Sequence, residues 1–548
     1  MRAHFRKLVL LILVACSLWA IPAAPVWAQV RIPADAIVDT DEIRQVLQQG
    51  LTLEQQRRWG EALLHYEDAS RSFPDQPEIE QRLTLAKIHY DLGRRYSDPS
   101  FLDALRQLSE LNTLDVYGEV LLKIQTHYVD SPDWQALMRR GTANLDVAMT
   151  EPAFVERNLA KADREAVDRF RRHLHEQLDS RPVPNRYDAK NVVKWVGDLA
   201  AQELGMSAQA AIQEYIAGAT SALDDYSGYL TANQLDDVFS QIEGNFVGLG
   251  IELKADDDSL LIVDVIPGGP AAEGGIQPTD RIVAVDGRTT KELTTDAAAD
   301  MLKGEENSVV SVEVLSEDGN RRTLRLVRRR VDVPSVVKVD IIDKEMGVGY
   351  FHITSFQKTT SRDVDSALWS LQRRGMKSLI IDVRGNPGGL LNSAVEIADK
   401  FISNGAIVST RGRSSRENYD YMAHAPGTWR VPLIVLIDSE SASASEIFAG
   451  AIRDQRRGTV VGVRSYGKGS VQGIFPLDVA RGGVRLTTAK FYSPSGQAIS
   501  KRGVQPDVSV RVTAKVPAEG DLAVAELNDG DQILKAGLQV VRDRLSQR

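Results

Sequence analysis

The sequence predicts a multidomain α+β protein with a helical front end, a small β-rich module and an α/β core. Four observations carry this. At 548 residues the chain is too long for one hydrophobic core. Residues 43–243 carry apolar positions at helical spacing. From Gly244 the texture changes to short β-branched runs broken by Gly and Pro. From about Val333 it changes again, to apolar strands alternating with helical stretches. Composition is that of a folded soluble protein, at 43% hydrophobic and 26% charged. The net charge of −9 argues against nucleic-acid binding, which needs a basic footprint. The run Arg328-Arg329-Arg330 reads as a solvated strand end.

The front of the chain reads as a targeting segment. Arg2, Arg6 and Lys7 precede an almost wholly apolar stretch over 8–28, and Val26-Trp27-Ala28 resembles a cleavage site before Gln29. Pro22 and Pro25 disfavour a regular membrane-spanning helix, so an export signal over 1–28 is preferred to a retained anchor. Cys16 is the only cysteine, in a lipobox-like Leu13-Val14-Ala15-Cys16. The residues after it stay apolar, whereas a lipidated mature end is usually polar; cleavage after Ala28 is therefore favoured. Membrane association would need the segment retained or Cys16 lipidated. A lone cysteine allows neither a disulfide nor a cysteine metal site, and no metal or cofactor is expected.

Residues 43–112 read as helical. Ala62, Tyr66 and Ala69 fall at helical spacing, and Pro74 and Pro77 stop that helix. Small residues at 62 and 69 would admit a neighbouring helix, as in the second helix of a tetratricopeptide repeat; an ordinary helical hairpin is the alternative. Leu83, Ala86, Tyr90 and Gly93 suggest the next helix. Residues 113–243 continue as helices, for example 161–178, interrupted by a turn-rich segment at 223–230. The β-rich module over 244–331 has strand signals at 260–266, 281–285, 309–314 and 323–327. At its start Gly248-Leu249-Gly250-Ile251 can turn successive N–H groups toward one anion. A chain-terminal carboxylate fits such a nest, and the peptide before it can add to the sheet edge. With Pro267-Gly268-Gly269-Pro270-Ala271 and the segment from Asp280 to Gly287, this resembles a PDZ domain. In the α/β part, strands are predicted at 347–351, 378–383, 433–438 and 459–463, with helices at 361–374 and 393–401. The last segment, 523–545, is predicted helical, packing on the body or on a second copy.

The chemistry concentrates in three segments. Ser441-Ala442-Ser443-Ala444-Ser445-Glu446 follows an apolar strand and opens a helix. A serine there is exposed on a rigid edge, and a helix N-terminus favours nearby negative charge. A Ser-rich cap explains the same stretch equally well. A nucleophilic serine needs a base. None of the eight histidines sits in a nucleophile motif, and His352 and His424 are isolated. Lysine is the other partner of serine, and Gly467-Lys468-Gly469 supplies one. Free lysine has a pKa of ~10.4, so a lysine base must be desolvated. Its flanking glycines would allow close packing around the ammonium, with Val471 and Phe475 excluding water. Residues 462–468 also fit the first seven positions of a P-loop, but the eighth is Gly469, and 471–477 reads as a strand. In the third segment a strand ends at Asp382-Val383-Arg384-Gly385-Asn386-Pro387-Gly388-Gly389. The N–H of Gly388 or Gly389 could join that of Ala444 in stabilising an oxyanion, with a tight turn before a helix as the alternative.

These motifs, with Phe491-Tyr492-Ser493-Pro494-Ser495-Gly496 and Gly503-Val504-Gln505-Pro506-Asp507, resemble the C-terminal processing peptidases, or tail-specific proteases. The resemblance runs from about Thr113 to Val510. It implies a serine endopeptidase with Ser443 as nucleophile and Lys468 as base, at the family's separation. It also implies Gln472 orienting the lysine amine, and Ala444 with Gly388 or Gly389 at the oxyanion hole. The domains expected from the residues and the resemblance together are a signal peptide (1–28), a tetratricopeptide-like region (43–112) that is not a common part of the family, a helical peptidase region (113–243), a PDZ domain (244–331), the peptidase domain (332–512) and a helical tail (513–548). Expected partners are polypeptides held through their C-termini in an extracytoplasmic compartment such as the periplasm, with room for an adaptor or a homo-oligomer. Asp225 and Tyr226 stand where the family usually has Pro-His, a departure read as structural. The rival from another class is an inactive PDZ and repeat scaffold that binds protein C-termini.

Overall fold

The computed structural model describes residues 40–256, 259–291, 299, 301–511 and 530–546. The predicted export segment and Cys16 lie outside these, as do residues 512–529, including the start of the helix predicted over 523–545. Among the described residues no helix is long and apolar enough to cross a membrane. The chain divides into two compact units, one ending at Tyr90 and one beginning at Asp91.

The first unit is helical, as predicted. Trp59–Ser72 buries Ala62, Tyr66 and Ala69 on one face, against Thr40–Gln55. Gly50 is what permits the approach, since a Cβ there would stand 2.3 Å from the Tyr66 ring. The Tyr66 hydroxyl donates to Glu54 at 2.7 Å, which satisfies its one buried polar group. Pro77 opens the next helix in the first turn, where its missing N–H costs nothing. The helices are as expected; the tetratricopeptide label is not carried beyond the sequence.

The second unit begins with a helical layer. Ala208–Ser221 lies at its centre and is buried around almost its whole circumference. It crosses Trp134–Ala148 at Gly218 and Gly141, where a Cβ on Gly218 would meet the Gly141 Cα at 2.5 Å. Arg95 and Glu214 form a buried ion pair there at 2.6 Å. The helix predicted from 161 starts instead at Arg164, because the Asp163 carboxylate caps it through Ala166 N–H. The segment at 223–230 is only half a turn. Asp224 Oδ1 accepts from the Tyr226 and Ser227 amides, and Gly228–Leu230 then pairs antiparallel with Gly483–Tyr492. A three-residue strand of this kind is defined by its partner and leaves no period in the sequence.

The PDZ module is an antiparallel sheet in the order Ile251–Asp256, Ser259–Val265, Arg281–Val285, Val309–Leu315, Arg321–Val327. Strict alternation in Val309–Leu315 buries Val310, Val312 and Val314. Ile251–Asp256 is an edge strand of this sheet.

The peptidase core is a six-stranded sheet in the order Val336–Asp343, Val348–Ile353, Ser378–Asp382, Leu433–Ile437, Thr459–Gly462, Val508–Ser509. Only the first pairing is antiparallel. Ser378–Asp382 and Leu433–Ile437 are buried at every position, because helices cover both faces. Leu379, Ile381, Leu433, Val435 and Ile437 meet the layer containing Thr360–Arg373, Leu391–Asp399 and Ala444–Asp454. Ile380, Ile434 and Leu436 meet the last helix, Gln532–Ser546. The predicted C-terminal helix therefore packs on the body. A second sheet, built on Gly483–Tyr492, joins the core to the helical layer.

Candidate active site

The serine turn stands at the C-terminal end of the central parallel strand, where Leu433–Ile437 passes into Ala444–Asp454. Three serines alternate through it, and their hydroxyls differ in their commitments. Ser441 Oγ donates to Val383 O at 2.8 Å, and Ser445 Oγ donates to Asn386 O at 2.9 Å. Both serines are fully buried. Ser443 is half-buried, and among the described residues its hydroxyl bonds no other side chain; the capping-box Glu446 amide beside it donates to Ser443 O at 2.9 Å. Its backbone is held at φ 53°, ψ −110°, a conformation that costs a non-glycine residue on the order of 1–3 kcal/mol.

What holds Ser443 there is Glu446, a residue given no role by the sequence alone. Its carboxylate is fully buried. It accepts from Ser443 N–H at 2.8 Å, Lys468 N–H at 2.9 Å, Gly467 N–H at 2.7 Å and Ser465 Oγ–H at 2.5 Å. One side chain thus ties the backbone of the serine turn to the backbone of the lysine loop. Burial pushes the Glu446 carboxyl up; the hydrogen bonds from Ser465, Gly467, Ser443 and Lys468 pull against it. Four donors suit a group that only accepts. The signal was present in the sequence, since Ser443-x-x-Glu446 is a capping-box pattern.

The loop at 385–389 is stitched to the same turn. Asn386 O also accepts from Ala442 N–H at 3.0 Å, and Gly385 N–H donates to Asp438 at 3.0 Å. Gly388, at φ 110°, lies against the serine: a Cβ there would stand 2.8 Å from Ser443 Cβ and 3.0 Å from Ala444 N. Its N–H donates to Asn386 Oδ1 at 2.8 Å. Gly389 lies against Phe356, where a Cβ would come within 2.2 Å of the carbonyl oxygen. Gly388→Ala should therefore lower kcat by about 10²-fold, because displacements near 1 Å are costly in a preorganised site. Turnover of an unfolded protein substrate checks this, with circular dichroism as the folding control.

Lys468 sits between Thr459–Gly462 and Ser470–Pro476. Burial lowers its pKa; the nearby Arg485 charge adds to this, and Glu446 and Asp224 oppose it. Nζ lies over the Tyr226 ring, 4.8 Å from its centroid, and Arg485 Nε donates to Tyr226 O at 2.8 Å. The surroundings differ from those expected. The flanking glycines pack on the 500–503 segment, with a Cβ at Gly469 only 2.2 Å from Ser500 N. Val471 joins the peptidase core, and Phe475 stacks on His127 at 4.2 Å. Tyr226, read from sequence as a structural departure, is the ring that faces the lysine. Gln472 Nε2 donates to Ser470 Oγ at 2.9 Å and to Ser470 O at 3.2 Å. Among the described residues, no hydrogen bond joins Lys468 Nζ to Gln472 or to Ser443.

The two histidines of the peptidase region are placed elsewhere. His352 Nε2 pairs with Arg384 O at 3.0 Å, and the exposed His424 pairs with Asp399. The strand Ser470–Pro476 follows Lys468 where a P-loop requires a helix. In the PDZ module, Leu249 O and Gly250 O accept from Ala271 and Ile266 amides, both at 2.9 Å, anchoring the Gly248-Leu249-Gly250-Ile251 turn beside the edge strand.

Comparison with known proteins gives the family. Residues 347–510 match peptidase family S41, and 261–316 match a PDZ domain. The chain is 37% identical over 316 residues to a carboxy-terminal-processing protease of Bartonella bacilliformis, covering 55% of this chain and 70% of that one. It is 31% identical over 323 residues to the carboxy-terminal processing protease CtpA of Bacillus subtilis, covering 59% and 67%. The solved photosystem II D1 C-terminal processing protease is 25% identical over 73% of this chain and 93% of its own, with a TM-score of 0.37. A superposition that loose leaves the assignment resting on sequence. The class is a serine protease carrying a PDZ domain, a module suited to peptide C-termini. More particularly, the chain belongs to the carboxy-terminal-processing proteases of peptidase family S41.

Proposed function

We propose that this protease hydrolyses extracytoplasmic polypeptides, selected through their C-terminal tails, with Ser443 as nucleophile and Lys468 as general base. The observation that carries the reading is the Glu446 bridge, which binds the Ser443 and Lys468 amides to one carboxylate. Neutral Lys468 Nζ takes the proton of Ser443 Oγ as the oxygen attacks the scissile carbonyl carbon. Substrate binding brings Nζ from the Tyr226 face to hydrogen-bond distance of Oγ. The C–N bond then breaks, the leaving amine takes the proton from Lys468, and an ester to Ser443 remains. Water, deprotonated in turn by Lys468, hydrolyses that ester.

The oxyanion is assigned to the N–H groups of Ala444 and Gly389. Gly389 is preferred to Gly388 because the Gly388 N–H already serves Asn386 Oδ1. Gln472 orients the lysine only if its amide turns from Ser470. The Gly248-Leu249-Gly250-Ile251 turn is assigned to the substrate's terminal carboxylate, and Ile251–Asp256 to pairing with the tail. Export is supported by Arg2, Arg6, Lys7 and the apolar stretch that follows them.

The test is cleavage of an unfolded protein with an apolar C-terminus by the wild-type chain and by Ser443→Ala. Equal cleavage by both would sink the mechanism; tail binding without cleavage by either would favour the scaffold. A pH profile tests the base separately. The active form is the neutral amine, so kcat should rise with pH and level off through a pKa below the free-lysine value of about 10.4. A rate still climbing at that value would contradict a desolvated base.

A further inference from the structure

The last helix of the chain reaches the stem of the loop that faces Ser443. Arg384 follows the strand Ser378–Asp382 and immediately precedes residues 385–389. Its guanidinium is shared between two carboxylates. Nε donates to Asp382 Oδ1 at 2.9 Å and Nη2 to Asp382 Oδ2 at 2.6 Å. Nη1 and Nη2 donate to Asp531 Oδ1 and Oδ2 at 2.7 and 2.8 Å. A bidentate fork of this kind fixes direction as well as distance.

Both carboxylates are anchored. Asp382 is buried at the strand end and accepts from the Tyr350 hydroxyl at 2.8 Å. Asp531 Oδ1 also accepts from Leu534 N–H at 2.9 Å, at the start of Gln532–Ser546. That helix is held to the sheet by Ile533, Leu534 and Val541, packed with Ile380, Ile434 and Leu436. Burial works against the Asp531 charge, but the bonds from Arg384 and the helix amides outweigh it and hold the carboxyl below its usual range. The restraint continues into the loop. Arg384 O accepts from His352 Nε2, and Gly385 N–H is held by Asp438. Asn386 O accepts from Ala442 and Ser445 of the serine turn.

We propose that Asp531 is a positioning residue for peptide-bond hydrolysis, clamping Arg384 so that the 385–389 loop keeps its alignment with Ser443. This rests on the reading of that loop as the oxyanion site. Asp382 alone would still neutralise Arg384 but would leave Nη1 unpaired and one side of the loop stem free. The C-terminal helix then acts on turnover from the opposite face of the sheet.

The test uses the full chain as wild type, Asp531→Asn, Asp531→Ala and Ser443→Ala. Asparagine keeps an oxygen for Leu534 N–H while losing the charge and one acceptor, which guards against simple unfolding. The expected result is a kcat lowered about tenfold with KM within about twofold. Hydrogen exchange in 384–390 should quicken, while the core strands keep their protection. Unchanged kcat and unchanged loop exchange, with Ser443→Ala inactive, would overturn the clamp and leave the serine reading intact. Exchange raised throughout the sheet, with activity lost only in proportion to unfolding, would overturn it as well. If the wild type cleaves nothing, the oxyanion reading fails, and loop exchange in Asp531→Asn alone decides whether the clamp exists.

Discussion

Ser443→Ala and Lys468→Met are each expected to reduce peptide-bond hydrolysis by about 10⁴-fold or more, with little effect on folding. Among the described residues the serine hydroxyl bonds no other side chain, and the capping-box Glu446 amide beside it also donates to Ser443 O at 2.9 Å. Its neighbours Ser441 and Ser445 spend theirs on Val383 and Asn386, so removing Ser443 Oγ orphans no partner. Ser441→Ala should behave in the opposite way. It orphans Asp438 N–H and leaves Val383 O with only the long bond from Asn386 N–H at 3.4 Å, and so should destabilise the turn by about 1–3 kcal/mol. Lys468→Met keeps most of the apolar stem over Tyr226 and removes only the amine. The measurement is single-turnover cleavage beside thermal melting for each variant. Activity in Ser443→Ala above a tenth of wild type would exclude it as nucleophile.

The second large effect is expected at Glu446, a residue with no direct part in bond making. Glu446→Ala leaves the Ser443, Gly467 and Lys468 amides and the Ser465 hydroxyl without their buried acceptor. Losses at one site are not additive, and a total of about 3–5 kcal/mol is expected. Glu446→Gln separates positioning from stability. It keeps one oxygen and turns an NH₂ toward N–H donors, so the strained Ser443 backbone loses its hold. A fall in kcat of about 10²-fold is expected, with a smaller loss of stability than in the alanine variant. Denaturant melts and kcat measured on the same preparations check this. Wild-type kcat in Glu446→Gln would mean that Ser443 holds its conformation without the bridge.

Much of the fold was legible because strand and helix periods are local. Leu433–Ile437 and Ser378–Asp382 read as apolar runs because helices cover both of their faces. Residues 309–314 read as a β-branched run, and the structure shows their burial alternating because the sheet is covered on one face. Gly228–Leu230 was missed because it is three residues long and exists only through Gly483–Tyr492. The helix begins at Arg164, not 161, because Asp163 can cap it. In the site, the motifs at 441–445 and 467–469 marked the candidate pair, and the capping-box spacing could have marked Glu446. Arg485 had no local signal. It comes to the lysine on Gly483–Tyr492, which folds back on the strand after Lys468, and it bonds the carbonyl of the distant Tyr226.

By itself the sequence determined the order of the modules, the alternation of covered strands, and the residues from which a serine site could be made. Each of those is written in near neighbours: a period, a turn, a glycine where a side chain cannot go. Only the tertiary structure decided that Ser441 and Ser445, but among the described residues not Ser443, give their hydroxyls to distant carbonyls, and that one buried carboxylate joins the Ser443 backbone to that of Lys468. It also decided that Gln472 faces Ser470, that Tyr226 faces the lysine, and that the last helix grips the loop stem through Asp531. These depend on which donor meets which acceptor across distant segments, and that pairing is set by how the layers pack.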